Sequence, residues 1–176
     1  MRSVLLRLAA VLCLSACSAG PQKAGTFRDA SAPIWSAAAF VPAQAAGSWR
    51  QVAGFAAAPG GCREGAVTIT PAQGGLAVTG TLCLDGRAQA INAIAQVTGP
   101  GRLAVAGGKG KAGAEDWWIL WVDSGYRTMA VGTPSGRFGF VLDREVGQTG
   151  AAPDRLAAAA EIFDFNGYDT RAMRPF

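Results

Sequence analysis

The chain has 176 residues, of which 16 are basic, 12 acidic and half hydrophobic. A formal charge of +4, carried by scattered residues, is too mild to mark a nucleic-acid partner. Histidine is absent, so no Ser-His-Asp or Cys-His catalytic arrangement can be built, and acid–base chemistry would fall to carboxylates, Lys or Tyr.

Residues 1–16 have the layout of a secretory signal: Arg2 and Arg7 near the start, a short apolar stretch over Leu5–Leu14, and small residues before Cys17. The apolar stretch is too short for a membrane-spanning helix, which needs about 20 residues. Leu14-Ser15-Ala16-Cys17 resembles the bacterial lipobox. That resemblance implies cleavage before Cys17 and lipid on its sulfur and its new amine, since several acyl chains together anchor a protein stably. Ser18 follows where the enterobacterial inner-membrane retention signal would have Asp, so the expected location is the outer membrane, facing the periplasm. With Arg2 and Arg7 gone, 14 basic residues stand against 12 acidic, a side-chain charge of +2.

Cys13 leaves with the signal and Cys17 takes lipid, which leaves Cys62 and Cys83. An even pair in an oxidising compartment is expected to form a disulfide, stabilising by ~3 kcal/mol. Two buried thiols are the alternative. A metal site fits less well, because two thiolates are half of a zinc shell, and no cofactor motif is present.

Residues 17–45 are rich in Ala, Ser, Pro and Gln and read as the lipidated terminus and a tether, interrupted by Trp35 and Phe40, which could pack on the domain or cap one end of it. From Gly47 the pattern changes to short apolar runs separated by turn pairs, among them Gly60-Gly61, Gly74-Gly75, Asp85-Gly86, Ser124-Gly125 and Ser135-Gly136. A spacing near ten residues is the signature of an all-β sandwich or barrel. Strands are expected over 48–56, 65–71, 76–84, 87–97, 102–107, 116–123, 127–132 and 137–144. Eight strands with short connections favour an up-and-down antiparallel barrel, whose closure removes edge strands. A helix follows: Pro153 suits a first turn, Leu156, Ala159, Ala160 and Phe163 share one face, and Asn166-Gly167 stops it. It is expected to pack outside the barrel wall.

Four segments stand out together: Gly47-Ser48-Trp49, Asp123-Ser124-Gly125-Tyr126-Arg127, Arg144 and Gly167-Tyr168-Asp169-Thr170. In order and on the expected elements they resemble the bacterial lipocalins, the outer-membrane lipoprotein branch of that family. Gly47-Ser48-Trp49 resembles the G-x-W motif. Asp123-Ser124-Gly125-Tyr126-Arg127, with Ala130-Val131-Gly132 behind it, resembles the D-x-x-Y-R segment. Arg144 matches the late arginine, and Gly167-Tyr168-Asp169-Thr170 resembles the segment after the family's helix. The resemblance spans about 47–172, within a barrel-plus-helix domain over 46–176. Arg50 stands where the family commonly has Tyr, and residues 86–115 match poorly. The resemblance implies that Trp49 and Arg144 stack as a barrel-closing pair, and it supports the Cys62–Cys83 disulfide.

It also implies a small apolar or amphipathic ligand, such as a fatty acid or lysophospholipid, held inside the barrel for storage, transport or scavenging. Strand parity under the family's pattern turns Trp117, Ile119, Trp121, Phe138, Phe140 and Leu142 inward. Thr128 and Ala130, with Gly132, are expected to leave room beside them. Lys109, Lys111 or Arg102 could meet an anionic headgroup near a rim. The competing expectation is a barrel filled by its own side chains, acting as an envelope protein-interaction or inhibitor module. No catalytic role is expected, since it would need a buried titratable group in the cavity and the best candidates, Glu115, Asp116 and Tyr126, fall at strand ends.

Overall fold

The computed structural model describes residues 25–106, 115–144 and 152–176. Cys17, Lys109 and Lys111, with the signal peptide, lie outside the described residues. The expected strands all form: β1 (Gly47–Phe55), β2 (Gly65–Ala72), β3 (Gly75–Leu84), β4 (Arg87–Gly99), β5 (Arg102–Ala106), β6 (Trp117–Val122), β7 (Thr128–Gly132) and β8 (Gly139–Asp143). A short β9 (Met173–Pro175) follows helix α1 (Pro153–Phe165).

Each strand pairs antiparallel with the next, and β1 pairs with both β8 and β2, which closes an eight-stranded barrel. β2 leaves β1 at Gln51↔Gly65, and β9 takes up the vacated edge from Ala53 to Phe55. Two devices fasten this seam. The Cys62–Cys83 disulfide spans a Cα–Cα distance of 5.5 Å. The buried Gln51 amide accepts from Cys83 N at 2.7 Å and donates to Cys83 O at 2.8 Å, joining β1 to β3 where no strand lies between them.

Apolar residues separate into two clusters. One fills the barrel, from Trp49 and Leu142 to Leu82, Leu84 and Phe138. The other lies outside, where α1 covers the wall through Ala159 and Phe163, with Leu156 and Ala160 partly buried against it. The helix begins on Pro153 and ends with Gly167 in the left-handed region (φ +80°). There Tyr168 N donates to Phe163 O and Gly167 N to Asp164 O, which satisfies two terminal carbonyls. Near the helix start, Arg155 Nη2 meets the fully buried Asp143 carboxylate at 3.0 Å.

Residues 25–45 do not hang free as the tether reading expected; they form a strap docked on the barrel. Phe27 N donates to Gly136 O, Asp29 N to Gly167 O and Ala37 N to Ile119 O. Arg28 is buried and donates to the carbonyls of Asn166, Pro134 and Ala32. Gly136 (φ +70°) is needed at this crossing, because a Cβ there would collide with Arg28. The strap's composition looked like a linker because, Arg28 apart, it is held largely by hydrogen bonds of its backbone, and backbone leaves no mark in sequence.

Candidate ligand site

Antiparallel order divides the connections between two ends. One end carries the β2–β3, β4–β5 and β6–β7 turns and the short 3-10 turn Pro42–Ala45. The other carries the β1–β2, β3–β4 and β7–β8 connections.

The first end is closed. Trp49 is buried, its indole Nε1 donates to Ala45 O at 2.8 Å, and the Arg144 guanidinium lies over its ring at 3.9 Å. Burial pulls the Arg144 guanidinium below its ordinary pKa, and the Asp123 charge partly restores it. The Asp123–Arg127 segment forms the β6–β7 turn. Here the Asp123 carboxylate accepts from Arg127 N at 2.6 Å, Thr128 N at 2.7 Å and Arg127 Nε at 2.8 Å. Tyr126, at φ +52°, turns its hydroxyl to the strap, where it accepts from Val41 N at 2.6 Å. Phe40 packs beside it, with ring centroids 6.3 Å apart. The motif thus closes the barrel floor.

Burial pushes the Asp123 carboxyl up, but the donors around it outweigh burial and hold it below the ordinary carboxylate range. A depressed folded-state pKa gives stability that is present above the unfolded value and lost as pH falls through the folded one. Asp123→Asn is therefore expected to cost about 1–3 kcal/mol near neutrality, with a loss that shrinks in acid. Urea unfolding at neutral pH and below pH 4 checks this; a pH-independent difference would refute the assignment.

The inward positions are filled by the aromatic and aliphatic residues of β6 to β8. Trp117, Ile119, Phe138, Phe140 and Leu142 lie in the interior cluster, with Trp117 and Phe140 edge to face at 5.3 Å. Trp121, Thr128 and Ala130 do not join them. A bulge at Leu120 shifts the register from Ile119↔Val131 to Trp121↔Ala130, which turns Trp121 out against the helix-side cluster and Val122 in. On β7, Met129 and Val131 stand opposite Leu142 and Phe140, so they share the inner face. Ala130 accordingly packs outside, while Thr128 Oγ1 donates to Asp143 Oδ2 at 2.8 Å. Arg102 is not on a rim; it stacks on Trp118 on the outer wall at 4.6 Å. Trp117, Ile119, Phe138, Phe140 and Leu142 are each at most 5% exposed, so their side chains fill this part of the barrel.

Accessible space opens at the other end. A hollow of about 380 Å³ is lined by Gly25, Thr26, Leu84, Asp85, Arg87, Gln89, Arg137 and Phe138. Leu84 and Phe138 belong to the interior cluster and give the hollow an apolar floor. Arg87 and Arg137 stand on its rim. Arg137 pairs with Glu115 at 3.1 Å, and Glu115 also accepts a short hydrogen bond from Ser135. Glu115 thus orients a rim arginine, and Tyr126 holds the strap. The sequence reading missed Arg87 and Arg137, although each lies within two residues of an expected turn pair.

No family model matches this chain, and no curated protein matches it in sequence. Solved structures do resemble it. Lobster apocrustacyanin A1 aligns with a TM-score of 0.54 at 17% identity, over 75% of this chain and 76% of that one. The cockroach allergen Per a 4 aligns with a TM-score of 0.58 at 11% identity, over 84% of this chain and 94% of that one. H1 crustacyanin from the lobster Homarus americanus gives 0.52 at 17% identity, over 74% and 75%. These neighbours have the lipocalin fold, and the closed eight-stranded barrel with one outer helix is lipocalin-like.

Proposed function

We propose that this chain is a lipid-anchored outer-membrane protein that reversibly binds a small amphipathic anion, such as a fatty acid or lysophospholipid, at the open end of its barrel. The observation that carries the reading is the hollow at that end. Its volume falls in the range of small-molecule sites, its floor is apolar through Leu84 and Phe138, and two arginines stand on its rim. An acyl chain would lie on the floor and its anionic head would meet Arg87 and Arg137. Since the interior below is filled, a longer tail enters only as Phe138 gives way. Anchoring rests on the lipobox-like Leu14-Ser15-Ala16-Cys17. Mass spectrometry of the membrane fraction is expected to show acyl chains on Cys17.

Native mass spectrometry of the soluble chain (residues 18–176), with lipid extraction, tests the binding. The expected result is a fatty acid or lysolipid near one per chain. Leu84→Glu, which places a charge on the apolar floor, is expected to weaken binding at least about tenfold, or ~1.4 kcal/mol. Bare protein, even after incubation with long-chain lipids, would refute the reading. It would favour a filled barrel that docks on an envelope protein, a second reading supported by the low exposure of the interior side chains.

A further inference from the structure

The strap fixes where a lipid anchor must emerge. Only residues 18–24 separate Cys17 from Gly25, and Gly25 and Thr26 line the hollow at the barrel mouth. Fully drawn out, the eight steps from Cys17 to Gly25 reach at most about 28 Å. The barrel wall is itself roughly 20 Å tall, from strands of five to thirteen residues tilted as in other eight-stranded barrels. A bilayer holding Cys17 is therefore within easy reach of the mouth, and a full barrel height farther from the Trp49–Arg144 floor.

The mouth end also carries groups suited to a lipid surface. Arg87 and Arg137 are exposed there. Arg137 is paired with Glu115, and the exposed Asp85 lines the same hollow, so Arg87, with no ion-pair partner among the described residues, is the arginine that faces a lipid surface. The C-terminal end of α1 lies at the same end, because Arg28 bridges Asn166 O and Pro134 O, and Tyr168 OH bonds within the β7–β8 connection. Two large aromatics are exposed beside that helix end: Phe165 at 70% and Trp35 at 60%, whose backbone N donates to Asn166 Oδ1. Aromatic rings at this depth prefer the headgroup region, and arginines near an anionic leaflet are each favoured by about 1 kcal/mol.

The geometry points to a barrel that docks mouth-down on the anionic phospholipid surface carrying its anchor, so that an amphipathic ligand passes between bilayer and mouth without crossing bulk water. This inference rests on the proposed lipidation of Cys17 and on the mouth as the ligand site. Hydrogen exchange on the lipidated chain in vesicles of phosphatidylethanolamine and phosphatidylglycerol tests it, with the unlipidated soluble chain as reference. Exchange is expected to slow several-fold in the mouth connections 56–64, 85–86 and 133–138, and to stay unchanged in the floor turns 73–74 and 123–127. Inserting a Gly/Ser spacer of about twenty residues between residues 22 and 23 lengthens the leash and is expected to relax that protection. The double substitution Trp35→Ser and Phe165→Ser is expected to weaken it too, with ligand binding by the soluble chain unchanged. Protection of the floor turns, or mouth protection indifferent to both changes, overturns the inference. So does a mature chain with no lipid on Cys17, and that outcome leaves the ligand reading standing, since ligand binding is measured on the soluble chain.

Discussion

Replacing Phe163 by alanine is expected to destabilise the fold by about 3–5 kcal/mol, lowering the melting midpoint by on the order of 10 °C. The reason lies in what Phe163 joins. With Ala159 it is one of two fully buried residues on the inner face of α1, and its ring meets Phe55 of β1 at 4.9 Å and Tyr168 at 5.0 Å, both nearly edge to face. Phe27 of the strap meets the other side of Phe55 at 5.7 Å. One cluster thus ties together helix, barrel wall, strap and the segment leading to β9. Gly139 on β8 lets the rings approach, because a Cβ there would stand 2.9 Å from Phe163 and 3.1 Å from Phe55. Truncation leaves a hole that rigid sheet on one side cannot fill. Phe165, two residues on and 70% exposed, is the control: Phe165→Ala is expected to change stability by no more than about 0.5 kcal/mol. Equal losses for the two, measured by denaturant unfolding, would mean that α1 is not docked through this face.

That helix face was legible in the sequence, as were all eight barrel strands, the closing Trp49–Arg144 pair and the Cys62–Cys83 bond. Each leaves a periodic or motif-like trace: apolar spacing, turn pairs, or two residues of special type. What could not be read depends on register. Leu120 is the fourth of six consecutive apolar residues, with no polar residue to report a change of face, so the bulge there was invisible and Trp121 was placed inside. Thr128 and Ala130 were misplaced for a related reason. Small residues suit a cavity, but on β7 they sit beneath the helix, where close packing needs small residues just as much. The alternation of Met129 and Val131 carried the correct parity and could have been anchored to Phe140 and Leu142 across the hairpin. The mouth arginines were overlooked because Lys109 and Lys111 drew attention to the longest connection, and the strap because Gly136 and backbone hydrogen bonds decide its course.

The barrel floor supplies the second large effect. Trp49→Ala is expected to cost about 3–5 kcal/mol, and Arg144→Ala only about 0.5–2 kcal/mol. The indole contributes burial, ring contact and a hydrogen bond to Ala45 O at once, so its loss opens the floor and leaves that carbonyl without its donor. Arg144 covers the outer face of the ring and donates to Gln44 O at 3.2 Å, a bond that water can replace. Arg144→Lys is expected to recover little, because an ammonium lacks the planar face that stacks on an indole. Denaturant unfolding of the three variants gives the ranking, and an Arg144→Ala loss as large as that of Trp49→Ala would show that the guanidinium itself is the plug. The same variants separate the two ends of the barrel. With Arg144 gone the floor loses its lid, but Leu84, Arg87, Arg137 and Phe138 are untouched, so affinity for an amphipathic anion at the mouth is expected to hold within about twofold, or ~0.4 kcal/mol. A tenfold fall in Arg144→Ala would place the ligand deep in the barrel, against Trp49, and not at the mouth.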